Sequence, residues 1–274
     1  MAARPRKRFG QHWLTSQAVL AQIVSSAQLQ DGDRVLEIGP GQGVLTERLL
    51  HQAETVIAVE VDRDLGKLLR QKFAAHPGFH LLETDFLTLD LLGALGHNAI
   101  AEPNKVVANI PYYITGPILE KLVGGINQPP LLPFEAIVLL VQREVADRLC
   151  APPGSKTYGA MSVRMQYLAE CEWICEVPPQ AFYPPPKVTS AVVRLRPRRF
   201  IPAADDPRLL AQLVQAGFAS RRKMLRNNIR DIVERDRLAA LFTTLGLAPE
   251  VRAENLSVEN WVVLSNRIQG EGSF

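Results

Sequence analysis

The stretch that decides the fold reads Val35-Leu36-Glu37-Ile38-Gly39-Pro40-Gly41-Gln42-Gly43. A strand pattern over residues 34–38 leads into three glycines at alternate positions, and a helical pattern follows over residues 46–52. A strand that ends in a glycine turn and continues as a helix lets the backbone approach a ligand at the carboxyl edge of a sheet. We therefore predict a ligand site at this turn.

Outward from this turn, strand and helix patterns alternate through the first two-thirds of the chain. This alternation predicts a mainly parallel sheet that is covered by helices on both faces. Two later strands are expected at the sheet edge, in an antiparallel arrangement, over residues 173–177 and 190–195. The other predicted strands span residues 55–60, 79–83, 105–108 and 136–141, and the other predicted helices span 17–28, 65–75, 114–123 and 144–149.

The pattern changes after a polar, proline-rich stretch at residues 196–207, which has the composition of a linker. Every later segment has a helical pattern, over residues 208–220, 223–230, 235–245 and 258–269, with Ser257 as the expected N-cap of the last helix. We therefore predict an α/β fold of two domains. A Rossmann-like domain with a mainly parallel sheet takes residues 1–199, and a small all-α domain takes residues 200–274.

Charge is concentrated in two places on a chain whose net charge is only +3. Such local basic clusters on a near-neutral chain indicate that a polyanion is contacted at chosen points. The clusters are Arg4, Arg6, Lys7 and Arg8 near the N-terminus, and Arg221, Arg222, Lys223, Arg226 and Arg230 near the C-terminus.

The chain has no apolar run of about 18 residues that could cross a bilayer, and its three cysteines form no metal-ligand set. We expect a cytoplasmic protein without a metal.

The acidic residues near the glycine turn indicate which cofactor it binds. A dinucleotide fingerprint that begins at Gly39 would have glycine where Val44 stands. Glu37 would repel a pyrophosphate but attract a ligand that carries an amine and a sulfonium. Glu60 and Asp85 end the next two strands, where they could bind ribose hydroxyls and an adenine amine. A glycine turn, an acid for ribose and an acid for adenine, in that order along the chain, predict an S-adenosylmethionine-dependent methyltransferase. The alternative is a glycine turn beside two solvated acids.

A second run, Asn109-Ile110-Pro111-Tyr112, follows the strand at residues 105–108. The Asn109 side-chain oxygen and the Ile110 carbonyl could accept both hydrogens of an adenine amine and make its nitrogen more reactive. Pro111 fixes the turn without adding a competing N–H, and Tyr112 offers a flat face to a base that is flipped out of its stack. We predict methylation of an exocyclic adenine amine here, although such a tetrapeptide alone would usually be only a turn.

Phe182 lies in the run Ala181-Phe182-Tyr183-Pro184-Pro185-Pro186-Lys187-Val188. The prolines would hold this aromatic ring at low entropic cost, so we predict that Phe182 stacks on the other face of the base. Lys187 could contact a phosphate. The alternative is a core aromatic residue beside a proline-rich loop.

Taken together, five runs of the chain resemble the bacterial-type family of ribosomal RNA small-subunit (16S) adenine N6,N6-dimethyltransferases. The resemblance extends from about residue 6 to the last helix. The runs are Arg8-Phe9-Gly10-Gln11-His12-Trp13-Leu14, Glu37-Ile38-Gly39-Pro40-Gly41, Asn109-Ile110-Pro111-Tyr112, Phe182-Tyr183-Pro184-Pro185-Pro186-Lys187-Val188 and Arg221-Arg222-Lys223-Met224-Leu225-Arg226-Asn227.

The resemblance implies dimethylation of two adjacent adenosines in the 3′-terminal hairpin of 16S ribosomal RNA, within a ribosomal particle, by a protein that we expect to be a monomer. It also implies which residues bind the cofactor: His12, Leu14, Gly39, Glu60, Asp85 and Asn109. Two positions depart from the family pattern. His12 stands where Asn is frequent, which puts a side-chain contact there in doubt, and Ile110 stands where Leu is common.

The basic run Arg221, Arg222, Lys223 and Arg226 would then contact the RNA backbone; the alternative is a solvated helix face. Two other functions remain open. One is an antibiotic-resistance enzyme that methylates large-subunit ribosomal RNA, and the other is a non-catalytic assembly factor. A dehydrogenase is disfavoured by Val44 and Glu37.

Overall fold

The computed structural model describes residues 12–128, 130 and 132–270. Within these residues the chain divides into two compact units. The first unit contains the described residues up to 122 together with those of 130–146 and 171–197. The second unit contains residues 123–128, 147–170 and 198–270.

The described strands form a large sheet and a small one. The large sheet has seven strands in the order β4-β3-β2-β5-β6-β9-β7, and the small one pairs β1 with β8. Neighbours from β4 to β6 run parallel, whereas β9 is antiparallel to β6. The strands are β1 (Trp13–Leu14), β2 (Arg34–Ile38), β3 (Thr55–Val59), β4 (Phe79–Leu82), β5 (Lys105–Asn109), β6 (Ala136–Gln142), β7 (Ala169–Val177), β8 (Phe182–Tyr183) and β9 (Ser190–Pro197).

The strand order creates a crevice at the carboxyl edge of the sheet. From β2 the chain adds β3 and β4 on one side, and then returns to place β5 on the other side of β2. Ligands bind at such a reversal, because the connections after the two central strands lead away in opposite directions. The predicted Rossmann-like fold is confirmed, and the turns after β2 and β5 are neighbours in space.

Helices of the first unit follow the strands, as the alternating pattern predicted. α2 begins after Gly43, and the side chain of Asp62 accepts a hydrogen bond from the Asp64 N–H at the start of α3. Sequence reasoning missed α4, which contains two glycines and is capped by Asp90. The helices up to α6 are α1 (Gln17–Ser26), α2 (Val44–Leu50), α3 (Arg63–Lys72), α4 (Leu91–His97), α5 (Thr115–Val123) and α6 (Arg143–Leu149).

The second unit is helical and has its own core around the fully buried Trp261. Tyr158 and Val163 belong to that core, so residues 147–170 pack with the C-terminal helices. The unit therefore begins earlier in the chain than the predicted boundary at residue 200. Its helices are α7 (Ala160–Leu168), α8 (Pro207–Gly217), α9 (Leu225–Asn228), α10 (Arg235–Thr244) and α11 (Val258–Gly270).

Two local expectations in this unit had different outcomes. Ser257 caps α11 as predicted, because its Oγ accepts a hydrogen bond from the Asn260 N–H at 3.1 Å. The helix predicted over residues 223–230 is wrong in extent, since only α9 is helical. The Asn228 side chain donates to the carbonyls of Gly217 and Ser220, which holds the preceding segment in turns.

None of the described helices has the length and apolar character that a membrane span requires.

Candidate active site

The glycine turn after β2 adopts a backbone that favours glycine. Gly39, Gly41 and Gly43 have φ values of +69°, +60° and +73°, in the left-handed region that costs other residues strain. The Gly39 N–H donates to the Val59 carbonyl at 2.9 Å, which ties the turn to the end of β3. A methyl group added to Gly39 would lie 4.0 Å from the Asn109 carbonyl oxygen. The two predicted functional runs are therefore in near contact.

A cavity of about 220 Å³ opens at this edge of the sheet. It is lined by every residue that the sequence predicted to bind a cofactor, and also by Pro111 and Tyr112. Phe182 is absent from the lining residues. The six predicted cofactor residues that line it are His12, Leu14, Gly39, Glu60, Asp85 and Asn109.

Sequence reasoning missed other residues in the wall. Trp13, Phe86, Leu87 and Tyr113 also line the cavity. Each lies within two positions after a residue that was predicted to be functional, namely His12, Asp85 or Tyr112. That adjacency was the available signal, because a turn at the end of a strand presents several successive residues to the same space.

Glu60, which follows β3, is held by two backbone N–H groups. Its Oε2 accepts from Gly41 at 3.2 Å, and its Oε1 accepts from Asp62 at 2.9 Å. Burial raises the pKa of Glu60, although these N–H donors act against the shift. Because a carboxylate oxygen can accept more than one hydrogen bond, the fixed carboxylate can still accept from two hydroxyls of a ligand.

Asp85 follows β4 and is exposed at the cavity wall. Its Oδ1 accepts a hydrogen bond from the Leu87 N–H at 2.9 Å. This bond sets the orientation of the carboxylate and leaves Oδ2 for an incoming donor. An amino group of a ligand is a suitable partner for that oxygen.

Glu37 is the most buried acid of the site, with 1% of its surface exposed. Burial raises the pKa of its carboxyl to about 8, and the negative charge of Glu60 acts in the same direction. Among the described residues, its Oε2 has no hydrogen-bond partner. A buried carboxyl oxygen without a hydrogen-bond partner beside a cavity favours a ligand that brings a positive charge or a donor.

Asn109 ends β5, and the N-terminal segment determines the orientation of its amide. The Asn109 Nδ2 donates to the His12 carbonyl oxygen at 3.3 Å. A carbonyl oxygen can only accept, so the amide nitrogen must face it and Oδ1 is left as an acceptor. The Asn109 side chain can therefore offer an acceptor, and its predicted contact with a target amine stays a prediction.

Tyr112 begins a short 3-10 turn, Tyr112–Ile114, and both its hydroxyl and its ring contact other residues. Its hydroxyl lies 2.5 Å from the Ser190 Oγ, and burial raises the pKa of the phenol. Its ring lies parallel to that of His12, with centroids 6.1 Å apart, while the His12 Nδ1 lies 2.7 Å from the Pro184 carbonyl oxygen. Tyr112 is thus a fixed aromatic wall and not a free base.

Phe182 lies on the small sheet, where its backbone pairs with Leu14. Only 4% of its surface is exposed, and its ring packs in the core of the first unit. The structure therefore brings Phe182 next to a cavity residue but not into the cavity wall. Its predicted stacking on a base stays a prediction.

In the basic run near the C-terminus, Arg221 makes several contacts within the protein. Arg221 pairs with Glu254 at 3.0 Å, and its guanidinium also donates to the carbonyls of Lys156 and Tyr158. Arg222 and Lys223 are exposed, and Arg226 is partly buried. The first cluster, at residues 4–8, lies outside the described residues.

Comparison with known proteins places this chain in a family. The family model described as "Ribosomal RNA adenine dimethylase" matches residues 2–270. Proteins named "Ribosomal RNA small subunit methyltransferase A" are 56% identical in Nostoc sp. and 54% identical in Picosynechococcus sp.. The alignments cover 96% and 97% of this chain, respectively, and 97% of each relative.

Two solved structures share the fold over nearly the whole chain. A dimethyladenosine transferase from Plasmodium falciparum is 25% identical with a TM-score of 0.75, and the match covers 95% of this chain and 98% of that one. The 23S rRNA methyltransferase ErmE is 27% identical with a TM-score of 0.74, over 94% and 99% of the two chains. The family match and these full-length similarities agree: the chain belongs to the ribosomal RNA adenine dimethylase family and is a methyltransferase.

Proposed function

We propose that the protein transfers methyl groups from S-adenosylmethionine to N6 of two adjacent adenosines in the 3′-terminal hairpin of 16S ribosomal RNA. The product is N6,N6-dimethyladenosine, which forms during assembly of the small subunit. The observation that carries the proposal is the fixed amide of Asn109, whose Oδ1 remains an acceptor beside the glycine turn.

The residues around the cavity fit S-adenosylmethionine. The Glu60 carboxylate, held by two N–H groups, can accept from the ribose hydroxyls, and the Asp85 Oδ2 can accept from the adenine amine. Glu37 supplies a buried carboxyl whose Oε2 has no partner among the described residues, and this group would attract the end of the ligand that carries the positive charges. When bound, the cofactor supplies the methyl group.

The target amine would be held by the run at the end of β5. The Asn109 Oδ1 and the Ile110 carbonyl accept its two hydrogens, which localises the lone pair on the nitrogen. Tyr112 forms an aromatic wall of the cavity and has its hydroxyl anchored to Ser190. No strong base is needed, because the nitrogen loses its proton readily once methylation has made it cationic.

The helical unit would contact the RNA backbone through exposed cations. Arg222 and Lys223 are exposed, and Arg226 is partly buried. Such contacts give affinity that is independent of sequence and falls with salt. We also expect the protein to act as a monomer, and a ribosomal substrate supports a cytoplasmic location.

A large-subunit RNA methyltransferase is the second candidate, because ErmE is as similar in fold as the dimethyladenosine transferase. Sequence identity to the named relatives favours the small-subunit substrate. The two relatives named for the small subunit are 56% and 54% identical to this chain, whereas ErmE is 27% identical. A non-catalytic assembly factor is disfavoured because the acceptors at Glu60, Asp85 and Asn109 are all in place.

The test is methyl transfer from labelled cofactor to undermethylated ribosomal subunits, followed by nucleoside mapping. We expect label in dimethyladenosine at two adjacent positions of the small-subunit RNA. Label in the large-subunit RNA instead would establish the second candidate. Absence of cofactor binding by calorimetry would exclude both enzymes.

A further inference from the structure

Lys121 on α5 makes a set of contacts that the site described above does not use. Its Nζ donates to three backbone carbonyls, those of Phe86 at 2.7 Å, Leu87 at 3.1 Å and Leu89 at 2.6 Å. An ammonium has three N–H donors, so these carbonyls account for all of them. The ammonium also lies 5.0 Å from the centroid of the Phe86 ring, within the range of a cation–π contact.

The three carbonyls belong to the segment that follows Asp85. Phe86 and Leu87 line the cavity, whereas Lys121 does not. The same segment orients Asp85, because the Leu87 N–H donates to the Asp85 Oδ1. Lys121 therefore contacts the wall of the proposed adenine site from behind.

The position of Lys121 in the chain links the proposed target-base run to the segment that follows Asp85. α5 follows directly on the turn that contains Tyr112, so the helix that begins beside the target-base run also carries this ammonium. Burial lowers the pKa of Lys121, while the charges of Asp85 and Asp90 oppose the shift. The two acids therefore favour the charged form of Lys121.

We propose that Lys121 is a positioning residue that fixes the segment at residues 85–89 in the shape that recognises the adenine of the cofactor. The inference rests on the proposed binding of S-adenosylmethionine. Lys121 acts through Asp85 and touches neither cofactor nor RNA. Arginine would not reproduce these contacts, because it presents its donors in a planar fork that cannot converge on three carbonyls from one point.

The experiment compares binding of two ligands by calorimetry. One is S-adenosylhomocysteine, and the other is S-inosylhomocysteine, in which an oxygen replaces the adenine amine. The variants are Lys121→Met, which keeps the length of the side chain, Lys121→Gln, which keeps a donor, and Lys67→Met, which removes an exposed ammonium from α3 as a control.

For Lys121→Met we expect the Kd of S-adenosylhomocysteine to rise about tenfold, since the variant lacks hydrogen bonds from a charged group. We expect the preference for the adenine ligand to shrink, Lys121→Gln to lie between, and Lys67→Met to match the wild type. The double variant with Asp85→Ala should be no worse than Asp85→Ala alone.

An unchanged preference between the two ligands in Lys121→Met, or full additivity with Asp85→Ala, would overturn the inference and leave a merely structural lysine. If Lys121→Met does not fold, Lys121→Gln decides by the same ratio. Failure of the wild type to bind S-adenosylhomocysteine would instead overturn the proposed function, and this inference with it.

Discussion

The side-chain nitrogen of Asn109 donates to the backbone carbonyl of His12 at 3.3 Å, across 97 positions of sequence. The N-terminal segment thus sets which end of the Asn109 amide is available to a substrate. Because the hydrogen bond uses a backbone carbonyl, it does not depend on whether position 12 is His or Asn. The departure at position 12 therefore leaves the orientation of the Asn109 amide unchanged.

We expect Asn109→Ala to reduce methyl transfer by a factor of about 10² or more, since the variant lacks a preorganised polar group that faces the reacting amine. Asn109→Asp should be similarly impaired, because a carboxylate oxygen would face the His12 carbonyl. Binding of undermethylated small subunits, measured by filter retention, should stay nearly unchanged. Asn98→Ala, at an exposed position outside the cavity lining, is the control, and equal loss of binding and catalysis would contradict the assignment.

Glu37 should make the stability of the protein depend on pH. Its pKa is raised from 4.5 to about 8 by burial, so its stabilising contribution is complete below about pH 4.5 and is lost as the pH rises towards 8. Glu37→Gln removes this titration. The free energy of unfolding of Glu37→Gln minus that of the wild type should therefore increase by a few kcal/mol between about pH 4.5 and pH 8. Urea unfolding of both proteins at a series of pH values tests this, and a constant difference would refute it.

Arg221, which contacts other residues of the protein, should respond to substitution differently from Arg222 and Lys223. Arg222→Ala with Lys223→Ala should weaken binding to the small subunit and reduce its salt slope by about 0.7–0.9 for each phosphate that is no longer neutralised. Arg221→Ala should instead lower the free energy of unfolding by about 1–2 kcal/mol, because it leaves Glu254 and the Tyr158 carbonyl without this partner. Binding measured at several salt concentrations separates the effects, and an unchanged slope in the double variant would indicate a solvated helix face.

Gly217 is expected to tolerate no side chain. A methyl group there would lie 2.4 Å from the Trp261 Cη2 and 3.1 Å from the Leu225 Cδ1, so Gly217→Ala should destabilise the protein by about 1–3 kcal/mol through overpacking.

Gly96→Ala is the matched control for Gly217→Ala. Gly96 lies in α4 and has nothing within 4 Å of an added methyl group, so this change should stabilise by about 0.4–1 kcal/mol. Thermal unfolding of the two variants should therefore shift in opposite directions, and a shared direction would show that steric contact with Trp261 is not the cause.

The features that could be predicted from the sequence are those that depend on a local pattern of residues. The positions of Glu37, Glu60, Asp85 and Asn109 could be found because each acid or amide lies at or just after the end of an apolar strand, and parallel strands bring such ends to one edge. Their arrangement at one cavity agrees with this reasoning.

The remaining features depend on distant or backbone groups. The Tyr112 hydroxyl lies beside Ser190, 78 positions away, and Lys121 contacts carbonyls that carry no side-chain signature. The burial of Phe182 follows from its pairing with Leu14 in a sheet of two-residue strands, which is too short to produce a periodic pattern. Residues 147–170 belong to the second unit although they precede the predicted boundary at residue 200, because Tyr158 and Val163 pack with helices that come much later in the chain.

The small sheet of β1 and β8 has a consequence for synthesis of the protein on the ribosome. His12 meets the Pro184 carbonyl across 172 positions, and at the usual elongation rates about 10–30 s separate the two residues as they are made. Until residue 184 has left the exit tunnel, the segment that orients Asn109 lacks its partner strand. A nascent chain therefore completes the cavity late, and a messenger truncated before this point would yield a protein with the glycine turn but without an ordered wall opposite it.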